Sequence, residues 1–347
     1  MFFKLRAFFQ DKITETSGWG LSSNPNAIDL LRENPHLIDF KEFSQNLNAN
    51  ELLYGDFLEE NFNNLYWGRL SANPSTVYLL AKNINKLDRW YLSSNPNAAH
   101  LLAKYPHMID WHALSANPSP VAIEILKKNL NEVYWDQLSL NTGAGAIRML
   151  EENPNKIDWG NFAKNVEAIR ILEQNIQKLD PWYISSNPRA IHLLKKHPEL
   201  IYWIGLCFNP RAASILEENI DKINWYGLSS NISTVHIIEN NLDKIDNLWD
   251  FSQNPSAVEF LEKHPRLIDW KSIWCNPSIF TYDYNKIKET NNHITEQINM
   301  LFLHPMIIAA YINEENEAIE ITKNINMYAI NNISLIFNVL NPPSQST

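Results

Sequence analysis

Glycine is scarce in this chain, 9 of 347 residues, and none falls in a G-x-x-x-x-G-K, G-x-G-x-x-G or G-x-S-x-G pattern. Local phosphate cradles and the nucleophile turn of hydrolases are therefore missing. Cysteine is scarcer still, with only Cys207 and Cys275. A disulfide framework needs several pairs, so free thiols in a reducing compartment are the expectation. Positive charge is in deficit, 29 Lys and Arg against 39 Asp and Glu, for a formal charge of −10. That balance weighs against nucleic acid as a partner, because phosphate backbones call for a basic face.

Long apolar runs are also lacking. The longest, Met300 to Ile312, is interrupted by His304 and Pro305 and falls short of the roughly 20 residues that cross a bilayer. The opening Met1 to Phe9 is too short for a signal peptide and is broken by Lys4 and Arg6. The expectation is a soluble intracellular protein with no membrane segment. Metal-ligand patterns are missing too. His107 and His112, like His192 and His197, are five apart, which does not bring two imidazoles to one helical face as four would. Glu314, Glu315, Glu317 and Glu320 lack the alternating ligands and glycine of a calcium loop and read as a solvated face. No metal, cofactor or catalytic residue is expected.

What is abundant is tryptophan. Trp19, Trp67, Trp90, Trp111, Trp135, Trp159, Trp182, Trp203, Trp225, Trp249 and Trp270 recur every 21 to 24 residues, apart from one gap that Phe40 fills; Trp274 stands outside the series. A stricter register is asparagine: Asn24, Asn46, Asn73, Asn95, Asn117, Asn141, Asn165, Asn187, Asn209, Asn231, Asn254 and Asn276. Proline usually follows it, a large apolar residue stands three places before it, and serine commonly lies between them, as in Leu21-Ser22-Ser23-Asn24-Pro25.

These residues have mechanical meaning. Asparagine caps free N–H groups and proline suits the first helical position, so Asn-Pro opens a helix. Apolar residues then follow at helical spacing, as in Ala190-Ile191-His192-Leu193-Leu194. A second Asn or His, often with proline behind it, stops the helix at Asn34, Asn153, His197 and His264. A short link leads to an aspartate, such as Asp39, Asp110, Asp158 or Asp269, placed to cap the next short helix. Such helices are too short to persist alone, so neighbours must stack. The fold class is all-α: an elongated α-solenoid of about twelve short two-helix repeats with helical caps. Stacked as a rod or arc, the array would be on the order of 100 Å long. The aromatic series is expected to form a buried core ladder.

The expected organisation is an N-terminal cap over residues 1–17, the array over 18–288, a helical C-terminal cap over 289–340 and a loose tail over 341–347. Two places break the period. Phe40 to Trp67 spans 27 residues, with an insertion or bend near Gly55. The repeats after Asn117 and Asn141 are each two residues longer. Insertions in repeat arrays tend to emerge on the binding face, so Pro120, Val121, Thr142, Gly143 and Gly145 are the candidate binding residues, with repeat drift as the alternative.

The unit, clear in LSSNPNAIDLLRENPHLIDF from Leu21 and LSSNPNAAHLLAKYPHMIDW from Leu92, resembles the repeats of uncharacterised proteins encoded in multiple copies by giant nucleocytoplasmic DNA viruses. The resemblance runs from about Gly18 to Glu289, including the closing NPSIFTYDYNKIKE. It implies a viral origin, in host cytoplasm or virion, and supplies no site residues. The reading that follows is a non-enzymatic scaffold for protein–protein interaction with a host or viral partner. A structural virion component and an enzyme without a visible motif are the alternatives.

Overall fold

Each repeat before the last opens on a first helix of four to six residues; Trp159–Lys164 is capped by the expected aspartate, the Asp158 carboxylate accepting from the Asn161 N–H at 2.8 Å. Asp39, Asp110 and Asp269 cap in the same way. The helix ends at the register asparagine, whose side-chain oxygen accepts from the N–H two residues on. At Asn187 the donor is Arg189 N–H, at 3.0 Å, and Pro188 begins the next helical turn. A second helix of five or six residues follows, Ile191–Lys196 in this repeat. The second asparagine stops it by donating to the carbonyl four residues back, as Asn153 does to Met149 at 2.8 Å. The sequence therefore encodes the fold locally, repeat by repeat, through caps at both ends of each helix.

A computed structural model describes residues 2–302, with side-chain environments through residue 295. The chain divides into two units: Phe3–Tyr282, which holds the array, and Phe2 with the residues from Asp283 on. In the second, an α-helix runs over Tyr284–Phe302. Most of the expected 289–340 cap, the 341–347 tail, the Glu314–Glu320 group and most of the Met300–Ile312 stretch lie outside the described residues.

The array is the all-α repeat solenoid expected, but its course is not a rod or an open arc, because its two ends meet. Strand β1 (Phe3–Leu5) pairs antiparallel with β2 (Phe280–Tyr282), and the first helix of the first repeat packs against the turn Ile273–Cys275 of the last. In the expected N-terminal cap, residues 3–17 contain β1, the short helix Ala7–Gln10 and the turn Glu15–Ser17. Phe9 is fully buried there, edge-on to Trp274 at 6.2 Å.

Asparagine side-chain amides run the length of this ring. Besides capping its own repeat, Asn187 donates to the carbonyls of Ala163 (2.8 Å) and Asn165 (3.3 Å) in the repeat before. Asn209 does the same to Ser185 and Asn187, and Asn46 to Ser22 and Asn24. The last step closes the circle: Asn24 donates to the carbonyls of Trp274 (3.0 Å) and Asn276 (2.9 Å). All twelve register asparagines are at most 3% exposed. Serine adds a second link. The Ser22 hydroxyl accepts from Asp39 N–H at 2.8 Å, and buried Cys207 takes the serine place, its sulfur 3.3 Å from Asn224 N. Around the amides lie the apolar registers. Leu70, Leu92, Phe162, Ile184 and their equivalents three residues before the asparagine are fully buried, as are Leu80, Leu102 and Leu172 in the second helices.

The aromatic series departs from expectation. Its members are not the core: Trp90 and Trp182 are each 48% exposed, and Trp159 is half-buried. The buried tryptophan is Trp274, the one outside the series; it fills the serine position of the last repeat, where it meets the N-terminal segment. The reason lies on the helix itself. The apolar residue three before the asparagine and the leucine of the second helix already fill the interior, so the tryptophan packs only its inner edge.

Near Gly55 the expected irregularity is an added helix, Gly55–Asn61, entered through Gly55 at φ +52°, a conformation open to glycine. Leu53 keeps the core register just before it.

Two outcomes follow. Phe162→Ala is expected to destabilise by about 3–5 kcal/mol, and Trp159→Ala by roughly half that or less, because only part of its ring leaves water. Denaturant melts of the two variants check this; equal losses would contradict the burial assignment. For the ladder, Asn187→Asp keeps the capping oxygen but turns a carboxylate toward two carbonyls. It is expected to destabilise at least as much as Asn187→Ala, about 2–4 kcal/mol. A role limited to capping predicts that the aspartate variant is nearly neutral.

Candidate interaction surface

In a closed ring of equal angular steps, the elements spaced more closely lie nearer the axis. Consecutive first helices pack directly against one another, while consecutive second helices make fewer close approaches. Small residues permit the tight spacing. A Cβ on Gly20 would stand 2.6 Å from the Trp274 Cβ across the joint. The first helices are therefore the inner circumference. With neighbouring helices about 8–10 Å apart, twelve steps describe a circle roughly 30–38 Å across, and helix bodies of about 10–12 Å leave an opening of roughly 20–25 Å.

Which side chains face that opening follows from helical geometry. The buried apolar residue points outward to the second helices. The residue two places before it lies about 200° round the helix and points toward the axis. That position holds Trp90, Trp182, Ile204, Tyr226 and Trp249, all exposed. The three tryptophans each lie against another aromatic ring. Trp182 lies 4.6 Å from Tyr202, Trp90 packs edge-on to Tyr91 at 5.0 Å, and Trp249 meets Trp19 at 5.8 Å across the joint. Phe208 is also exposed on this side.

Other tryptophans sit one place earlier in the helix and are treated differently by the chain. Lys178 lies over the ring of Trp159 (4.4 Å), Lys222 over Trp203 (4.7 Å) and Lys244 over Trp225 (5.0 Å). These are cation–π contacts that cover a half-buried ring with a cation. Among the described residues, no lysine or arginine lies over Trp90 or Trp182, while Lys271 lies over Trp249 at 5.8 Å.

The five candidate residues fall elsewhere. The two extra residues of each long repeat precede the second helix, which becomes a nine-residue α-helix, Pro120–Lys128 and Ala144–Glu152. Pro120, Val121 and Thr142 are exposed, whereas Gly143 and Gly145 are half-buried. A Cβ on Gly143 would stand 2.8 Å from the Pro118 carbonyl oxygen, and one on Gly145 2.7 Å from Ile123 Cγ2. The two glycines thus let the second long repeat seat on the first, and the five residues do not form one surface. The aromatic surface was missed because the tryptophans were read as one series. The signal was in the spacing: Trp19, Trp90, Trp182 and Trp249 stand five residues before their asparagine and the others six, a difference of about 100° on a helix.

Burial pushes the Cys207 and Cys275 thiols above their usual range, which keeps them protonated and weakly nucleophilic. No group of three or more His, Cys, Asp and Glu side chains is placed to hold a metal ion among the described residues, and no described helix is long and apolar enough to cross a membrane. No family model, curated protein or solved structure matches this chain.

Gly145→Ala is expected to cost about 1–3 kcal/mol by overpacking against Ile123, and the penalty should shrink in an Ile123→Ala background. A double-mutant cycle measures the coupling; additive losses would place the strain elsewhere.

Proposed function

We propose that the protein is a non-enzymatic scaffold that binds a protein partner through the aromatic inner face of its ring. The observation that carries this reading is the set of exposed rings Trp90, Tyr91 and Trp182, the last against half-buried Tyr202, on a frame whose buried residues hardly vary. Tryptophan and tyrosine dominate the energetics of protein interfaces, and contiguous exposed apolar surface marks interaction sites. The chain's charge of −10 and the lysines it lays over its own tryptophans support a partner that offers lysine or arginine side chains. The resemblance to repeats of giant DNA viruses supports a host or viral protein in that role.

The test is affinity capture from infected cells with three baits: the wild type, Trp90→Ala/Trp182→Ala, and a control changed on the second helices, Lys195→Ala/Lys196→Ala. The aromatic variant is expected to fold, since both rings are half-exposed, and to lose at least tenfold in captured partner, while the control retains it. Capture indifferent to the tryptophans would refute the assignment of this face.

A further inference from the structure

The ring has one step unlike the others. Eleven of its inter-repeat interfaces join consecutive stretches of chain, so the repeats on either side cannot part by more than their short links allow. The step between the last repeat and the first joins residues about 250 apart: Asn24 to Trp274 and Asn276, and Ser23 to Cys275. Nothing covalent limits how far those two faces can separate.

The segment 3–10 holds this seam shut from outside. Its β1 backbone pairs with β2 over three residues, Phe3 with Tyr282, Lys4 with Thr281 and Leu5 with Phe280. Arg6 N–H donates to the Ile279 carbonyl at 2.9 Å, and the Arg6 guanidinium reaches Glu262 at 3.2 Å and Glu259 at 3.8 Å. Phe8 stacks on Trp270 at 6.4 Å and Phe9 lies against Trp274. The same segment also touches the first repeat, through contacts of β1 with Pro25–Ala27 and Ile28–Glu33. It thus grips both sides of the joint. Two features weaken the grip. Three-residue strand pairs are marginal, and Arg6 Nε is the buried side-chain polar atom left without a partner among the described residues, at a cost in stability.

We infer that the ring opens reversibly at the seam between its last and first repeats, with residues 3–10 as a detachable clasp, while the remaining eleven interfaces stay formed. Opening releases one asparagine step, the strand pair and the aromatic contacts of Phe8 and Phe9. It leaves the rest of the ladder intact, so it lies below global unfolding in free energy. Reclosure is guided by the ladder on each side, which keeps both faces preformed.

Native-state hydrogen exchange on the full chain tests this. The protected groups to follow are the side-chain amide hydrogens of Asn24, which bond across the seam, and those of Asn141, which bond across an interior step. In the wild type, the seam amides are expected to exchange at least tenfold faster than the interior ones. The Ser23→Cys variant adds a thiol facing Cys275 across the joint, where the native side-chain atoms are 3.6 Å apart. Once oxidised to the disulfide, it is expected to slow the seam amides to the interior rate, and reduction restores the difference. Phe9→Ala is expected to speed exchange at the seam alone. Seam amides that exchange no faster than interior ones in the wild type would overturn the inference without any variant. A disulfide that forms and leaves the seam rates unchanged would overturn it as well.

Discussion

A buried side-chain amide bridging two main-chain carbonyls of the neighbouring repeat is the interaction on which this structure depends. An asparagine offers one acceptor and two donor hydrogens, and at eleven of the twelve steps the ring uses them all in one place; Asn117 donates to the Ser93 carbonyl alone. The oxygen caps the helix that follows, and the nitrogen ties the repeat to the one before, as Asn209 does with Ser185 and Asn187. Helices of five or six residues have little stability of their own. Their unpaired carbonyls would be costly to bury, and the amide satisfies those carbonyls where the helices end. Serine at the position two before the asparagine adds the reciprocal bond to the next repeat's capping residue. Polar atoms thereby run through the interior without being orphaned, and the fully buried leucines around them exclude water from the bonds.

Once the step is defined, closure follows from geometry. A constant rotation between neighbours repeated twelve times brings the last repeat back to the first, and the asparagine bonds then continue across the joint without a change of pattern. The joint differs only in what surrounds it. Trp274 takes the serine position, and the N-terminal segment supplies Phe9 to cover it. A closed ring also fixes an inside and an outside, which an open solenoid does not. The inner positions are where the chain places its exposed tryptophans. On the second helices an ion pair links neighbours, Arg170 with Glu151.

Much of this was legible in the sequence because it is local. Asn-Pro, the second asparagine and the aspartate before the aromatic each act within a few residues, and most helix starts they implied are where the structure has one; after Asn117-Pro118 and Asn209-Pro210 the helix begins later, at Pro120 and Ala213. The asparagine register was also the strictest, as befits a residue with three bonds to satisfy. Closure was not legible, since it depends on a small angle summed over the array and on a three-residue strand pair between Phe3 and Tyr282. Burial of the aromatics was misread because recurrence alone does not say which side of a helix a residue takes. The difference of one residue between Trp182 and Trp203 in their distance from the asparagine decides it. In the lengthened repeats Gly143 and Gly145 admit a neighbouring backbone and side chain, a need that sequence spacing cannot distinguish from a protruding loop.

The central claim is that the array is a ring, and a distance between repeats at opposite ends of the chain tests it most directly. Spin labels at Arg32 and Lys263, with Cys207 and Cys275 replaced by serine, report on second helices that are two steps apart through the joint but far apart along the chain. Labels at Lys104 and Glu152 report on two steps within the array. A ring predicts similar distances for the two pairs, about 20–30 Å for layers spaced as packed helices are. A first pair far beyond the second, approaching the order of 100 Å of a twelve-layer rod, would contradict it.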